Sequence, residues 1–288
     1  MNRLLFPIFV LLGFLGCAPS PEPSGIPDVP PQRVISTLPS ITEVLFDIGL
    51  GNRIVGDSPF TKYPPESAHI DKIGGLYDSN HEKIISLKPD LVILSIENKT
   101  LLQSLSAPVL VVDHRSLSGV LDSYLVIGKI FGEDILTVAQ TKRQELFDNL
   151  NSFEASVKGK DPIRTLISTY RSYGTGRIQG MYVAGTDSFL TEVVERAGGE
   201  NVAAAIGLPT RLLSEEGVRE LSPDVIIDIQ FEGKDLTQSL SDWQSLGSGV
   251  PAVRNHHILV LSDDFSSIPG PRTPLLIGII ARYFESIE

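Results

Sequence analysis

A segment in the first half of the chain returns in the second, and this echo restricts it to folds built from two related parts. Glu82-Lys-Ile-Ile-Ser-Leu-Lys-Pro-Asp-Leu-Val-Ile aligns with Glu216-Gly-Val-Arg-Glu-Leu-Ser-Pro-Asp-Val-Ile-Ile. Upstream of each, Thr42-Glu43-Val44 through Gly49 aligns with Thr191-Glu192-Val193 through Gly198. Two matches in the same order point to two lobes of like α/β construction. The residue before a proline avoids the helical region, so the first segment reads as a helix from Ser79 or Asn80 that stops at Lys88-Pro89. The unbroken apolar run Leu91 to Leu94 then suits a strand covered on both faces, hence a parallel sheet.

Ahead of it, Val34 to Ser36 reads as a strand, followed by a turn at Pro39 and a Ser-x-x-Glu capping box at Ser40 and Glu43. Ile41, Val44, Leu45 and Ile48 recur at helical spacing, and Gly49 ends that helix. The two echoed segments lie about fifteen residues further apart in the first half than in the second, and the surplus falls between Asp57 and Asn80. Loops of that length usually serve binding, and this one presents Phe60, Tyr63 and Tyr77 as a candidate ligand wall. The competing reading has these rings folded back over the first lobe's own core.

From Leu125 to Val157, Ile127, Ile130, Phe131, Ile135, Val138, Ala139, Leu146, Leu150 and Phe153 recur at helical spacing. No glycine interrupts Glu133 to Val157, so one helix of about 35 Å is expected to join the lobes as a strut. Strands are expected at Thr165–Tyr170, Met181–Val183, Val225–Asp228 and Ile258–Leu261. A closing helix after Pro274 carries Leu275, Leu276, Ile279, Ile280, Tyr283 and Phe284 on its apolar face. The expected fold is α/β: two Rossmann-like lobes with central, mostly parallel sheets joined by one long rigid helix. Residues 33–124 form the first lobe, 125–160 the bridge and 161–288 the second.

The formal net charge of −11 argues against non-specific binding to nucleic acid. Residues 1–16 carry a basic Arg3 and an apolar Leu4–Leu15, the make-up of an export signal. Small Gly16 precedes Cys17, the only cysteine. Residues 17–32 are proline-rich and read as a tether. This leader resembles a bacterial lipoprotein signal, with Phe14 where leucine is usual. The resemblance implies acylation of Cys17 and an exported protein anchored to a membrane, facing the periplasm or cell exterior.

From Arg33 onward the chain resembles the substrate-binding proteins of bacterial ABC importers for cobalamin, ferric siderophores and haem. The carrying motifs are ISTLPSITEVLFDIGLGNRIVG, KYPPE, KIGGLYDSNHEKIISLKPDLVIL, FLTEVVERAGGENV, LSEEGVRELSPDVII and SIPGPRTPLL. The resemblance implies a monomer of two lobes with a metal chelate held between them and only small opening motions. It implies a membrane permease dimer as partner and no covalently required cofactor. Glu82 and Glu216 match the family's paired permease-docking glutamates. KYPPE resembles the cobalamin-binding members more than the siderophore ones, which makes cobalamin the favoured ligand and an iron chelate the alternative. By the same resemblance Pro39, Phe60, Tyr63, Leu76, Tyr77, Thr210, Arg211, Asp264 and Phe265 are candidate ligand contacts. Cobalamin binders favour tryptophans where this chain has Leu76-Tyr77 and Thr210-Arg211. Arg211 and Arg272 would suit acidic ligand groups, although Arg272 is better read as anchoring the turn before the last helix.

Other functions fare worse. The histidines, His69, His81, His114, His256 and His257, do not cluster as metal ligands, and no Gly-x-Ser-x-Gly elbow occurs. Gly174-x-Gly176 lacks the third glycine of a dinucleotide fingerprint. A free metal-ion binder and an exported enzyme remain the lesser alternatives.

Overall fold

The computed structural model describes residues 29–75, 78–97, 105, 107–204, 210–230 and 236–287. The leader and Cys17 lie outside the described residues, as do Leu76 and Tyr77. In the first lobe β1 (Val34–Ser36), α1 (Pro39–Asp47), β2 (Ile54–Asp57), β3 (Asp71–Lys72), α2 (His81–Ser86), β4 (Leu91–Ser95) and β5 (Val109–Val112) follow in order. The strands form a wholly parallel sheet in the order β3-β2-β1-β4-β5. Every residue of β4 is buried, the outcome its apolar run implies for an inner strand.

Two helices come next, α3 (Leu117–Phe131) and α4 (Glu133–Val157). The second lobe contains β6 (Ile163–Ser172), β7 (Gln179–Ala184), α5 (Phe189–Arg196), β8 (Gly199–Asn201), β9 (Thr210–Leu213) and α6 (Glu215–Leu221). It continues through β10 (Val225–Ile229), α7 (Leu236–Gln244), α8 (Pro251–Arg254), β11 (Ile258–Leu261) and α9 (Thr273–Ile287). Its sheet runs β11-β10-β6-β7-β9, with β8 beside the start of β6. This sheet is mixed, because β7 runs antiparallel to β6 and β9 to β7. Only a short turn links β6 to β7, and a connection that short returns the chain antiparallel.

The sequence echo is repeated atom by atom. Asn80 and Ser214 cap α2 and α6, accepting from the backbone N–H of Lys83 at 2.9 Å and of Gly217 at 3.2 Å. At the other end Arg33 Nη2 donates to the Leu87 carbonyl at 2.6 Å, and Arg164 Nη2 to that of Leu221 at 2.7 Å. Lys88 (φ 48°) and Ser222 (φ 47°) both take the left-handed conformation before their prolines, where extended backbone is the usual choice. That turn lets the Ser222 N–H close on the Val218 carbonyl at 3.0 Å. Thr42 and Thr191 each reach back six residues, to Ser36 Oγ at 2.8 Å and to the Gly185 carbonyl at 2.7 Å, and tie helix to preceding strand.

The capping box expected at Ser40 and Glu43 does not form. Pro39 is the first helical residue, so Ser40 falls inside the first turn and Glu43 beyond it, and both side chains bond to other elements.

The strut is α4, 25 residues long. Gly132, at φ 100° and ψ 172°, makes the break from α3 in a conformation open to glycine alone. The two helices then pack closely, since a Cβ at Gly128 would stand 2.9 Å from that of Ala139. Lys142 on α4 approaches Asp47 of the first lobe at 3.9 Å, and Glu154 binds Arg196 of the second at 2.8 Å. Ala139, Leu146 and Leu150 are its buried positions, whereas Val138 is 41 % exposed. In α9 Leu276, Ile277, Ile280 and Phe284 are buried, but Leu275 is 56 % exposed, turned off the face that Leu276 and Ile280 define.

A left-handed serine costs about 1–2 kcal/mol that glycine does not incur. Ser222→Gly is therefore expected to raise unfolding stability by about 1 kcal/mol, read as a higher urea midpoint at unchanged m-value.

Candidate functional site

The lobes meet at Arg272, just before α9. Its Nε and Nη2 donate to Glu43 of α1 at 3.0 and 2.5 Å, across the cleft. Nη1 and Nη2 donate to Asp264 at 2.9 Å each. The guanidinium lies over the Tyr63 ring at 4.3 Å and near the Phe265 ring at 5.4 Å. One cation thus serves two carboxylates and two rings, bringing Tyr63, Asp264 and Phe265 together. Burial pushes the Glu43 carboxyl up while Arg272 pulls it down, and hydrogen bonding from Arg272 holds Asp264 low. Sequence could not pair Glu43 with Arg272, which are 229 residues apart.

The surplus loop is held from beneath. Lys72 Nζ bonds buried Asp57 at 2.7 Å and the Ser67 carbonyl at 3.0 Å. Burial pushes the Asp57 carboxyl up to about 6 against that pairing. Above this anchor Phe60 is 64 % exposed and Tyr63 is 44 % exposed, so neither ring is folded into the core. Phe60 leans on Gly75, where a Cβ would stand 2.9 Å from its ring.

Pro39 lines a cavity of about 180 Å³ at the base of the cleft, with Leu38, Ser40, Ser95, Glu97 and His114 of the first lobe and Ser267, Ile268 and Pro269 of the second. Its walls include the carboxyl end of β4 and the loop after β5, the position where open α/β sheets hold ligands.

On the second lobe Thr210 and Arg211 pair with Ala184 and Val183 across β9 and β7. Side chains alternate along a strand, so the two occupy opposite faces. Thr210 shares its face with a cross-strand row of Leu212, Tyr182 and Tyr170, which are 58 %, 44 % and 50 % exposed. The two tyrosine rings lie 6.2 Å apart. Arg211 instead lines a groove beside Glu215 and Glu216. Tyr170 and Tyr182 were not singled out in the sequence; an exposed aromatic at each of two paired strand positions is their signal, visible only once the register is known.

Beneath this wall Arg171, wholly buried, bonds Asp228 at 2.9 Å and Asp242 at 2.8 Å. Trp243 Nε1 also donates to Asp228 at 2.9 Å. Asp242 accepts the N–H groups of Gly174 and Gly176, each at 2.8 Å, which gives that glycine pair a structural task. Glu82 and Glu216 are exposed in the first turns of α2 and α6, at equivalent positions behind their caps. Hydrogen bonds from its own backbone and from Ser214 hold the Glu216 carboxyl below its ordinary value. Among the described residues no group of three or more His, Cys, Asp or Glu is placed to hold a metal ion.

A family model described as Periplasmic binding protein matches residues 34–265. The chain is 27 % identical over 267 residues to a vitamin B12-binding protein of Vibrio parahaemolyticus serotype O3:K6, covering 90 % of this chain and 91 % of that protein. Its fold matches the crystal structure of the periplasmic vitamin B12 binding protein BtuF of Vibrio cholerae with a TM-score of 0.76 at 22 % identity, covering 90 % of this chain and 98 % of that one. It also matches the periplasmic heme-binding protein RhuT from Roseiflexus sp. RS-1 in apo form, with a TM-score of 0.73 at 23 % identity over 89 % and 99 % of the two chains. At those identities the structural likeness establishes the fold alone.

Removing Arg272 leaves Glu43 buried and unpaired, which typically costs about 3–5 kcal/mol. The folded-state value of Glu43 already lies above its unfolded one, and losing Arg272 raises it further. Protonation then favours the folded state, so the stability Glu43 contributes is present at low pH and lost as pH rises through the folded value. Arg272→Ala should accordingly be most destabilised at pH 7.5 and recover part of the loss at pH 5 in urea titrations. Adding Glu43→Gln should abolish that recovery.

Proposed function

Because the chain belongs to the periplasmic binding protein family, we propose that it is the substrate-binding component of an ABC importer and that its ligand is cobalamin, held between the lobes. The charge balance of the cleft carries the choice of ligand. Haem propionates and siderophore carboxylates call for free arginine forks. Arg272 has committed its fork to Glu43 and Asp264, and Arg115 bonds Asp113 at 2.8 and 2.6 Å. A corrin ring with neutral amide arms needs flat apolar walls instead. Phe60 and Tyr63 supply these on the first lobe, and the Tyr170, Tyr182 and Leu212 row is the matching wall on the second. Each buried ring contributes roughly 1.5–3 kcal/mol. The likeness to vitamin B12-binding relatives supports this reading.

A haem or ferric siderophore is the second reading, and Arg211, exposed on β9, is the residue that favours it. Leu76 and Tyr77, outside the described residues, stay in the proposal as candidate contacts by their sequence position in the surplus loop. Export, acylation of Cys17 and a monomeric state belong to the same proposal. Glu82 and Glu216 dock the permease dimer: two exposed carboxylates at matching helix starts form a pair whose separation α4 helps set.

Calorimetric titration with cyanocobalamin, haemin and ferric siderophores tests the ligand. Trp243 is fully buried on Asp228, so its fluorescence is a poor reporter. Cyanocobalamin is expected to bind at micromolar concentration or tighter and to raise Tm, and Phe60→Ala should weaken it by about 10-fold to 100-fold. Binding of haemin with no response to cyanocobalamin would sink the cobalamin reading. For docking, Glu82→Ala with Glu216→Ala should leave cyanocobalamin affinity intact while cellular uptake falls; unchanged uptake would refute it.

A further inference from the structure

His114 is 4 % exposed, with Nδ1 2.9 Å from Ser40 Oγ. Its Nε2 is buried without a hydrogen-bond partner among the described residues. His114 is also one of the residues lining the cavity of about 180 Å³ at the base of the cleft. A buried polar group left unsatisfied typically costs about 1–3 kcal/mol, which a suitable partner recovers.

We infer that this cavity seats a neutral carboxamide arm of the bound ligand, an inference that rests on the corrinoid reading above. The chemistry of the lining favours an amide over its alternatives. Burial pushes the His114 ring down to about 4, so near neutral pH it offers a single uncharged donor or acceptor at Nε2. Glu97, whose carboxylate lies 3.5 Å from Ser95 Oγ, adds an acceptor, and Ser95 and Ser267 add hydroxyls. A carboxamide presents one acceptor and two donors: its carbonyl can accept from Nε2–H once a small shift of the lining uncovers that atom, while its NH₂ meets Glu97. A carboxylate arm would set a second anion against Glu97, and like charges at close range are unfavourable. At about 30 Å³ per water the cavity has room for roughly six, enough for a short arm and its hydration. Both lobes line it, so an arm lodged there touches both.

The test uses the full processed chain in detergent, titrated at pH 7.5 with cyanocobalamin and with its b-, d- and e-monocarboxylic acids, each of which has one amide replaced by a carboxylate. One acid should bind about 10-fold or more weakly than cyanocobalamin, the equivalent of about one hydrogen bond. Glu97→Gln should largely close that gap. His114→Leu should weaken cyanocobalamin itself by about 10-fold, with His114→Gln closer to the parent. The acid series needs no altered protein, so it stands even if a His114 variant folds poorly. Equal binding of all three acids, or a gap that Glu97→Gln leaves untouched, overturns the amide seat while the corrinoid reading survives. No binding of cyanocobalamin by the unaltered chain overturns both.

Discussion

One apolar core runs unbroken through both lobes, and the rest of the molecule depends on it. Val34 and Ile41 of the first lobe, Leu146 and Leu150 on α4, and Val193, Ile277 and Phe284 of the second belong to a single packed cluster. Interiors of this kind transmit displacement instead of absorbing it, because close-packed side chains have few alternative arrangements. Leu146 and Leu150 make α4 an element through which both lobes share that core.

The polar groups at the cleft are arranged on that frame. Arg272 crosses from the second lobe to Glu43 on the first, and both are sufficiently buried for the pairing to be felt. Two carboxylates and one guanidinium leave the junction acidic, which shapes what the cleft can accept. The first lobe adds rings carried on a loop anchored by Asp57 and Lys72, and the second adds a wall resting on the buried Arg171 network. Rigid support behind exposed aromatic surface lowers the entropy a ligand must overcome on binding.

Much of the fold was legible in the sequence because it depends on local rules. The Pro-Asp pairs, the apolar run of β4 and the glycine-free span of α4 mark elements through backbone geometry and periodicity, and these operate within a few residues. The echo between Glu82 and Glu216 extended to caps, buried positions and even arginine-capped helix ends. Where local reading failed, a distant partner had intervened. Ser40 and Glu43 have the spacing of a capping box, yet His114 and Arg272 take their side chains. Val138 and Leu275 have helical periodicity, yet both stay largely open to solvent.

The candidate site divides the same way. The surplus loop and its aromatic residues could be found by comparing the two halves of the chain, since an insertion in one repeat needs no coordinates to detect. The sequence alone thus determined the two-lobed α/β plan, the connecting helix and the surplus loop of the first lobe. Only the tertiary structure decided that Thr210 and Arg211 face opposite ways, that Tyr182 joins Tyr170, that Arg272 is already paired, and that His114 Nε2 lies buried beside a cavity. The physical reason is that periodicity and turn chemistry act along the chain, whereas strand register, long-range ion pairing and cavity shape depend on how distant elements pack.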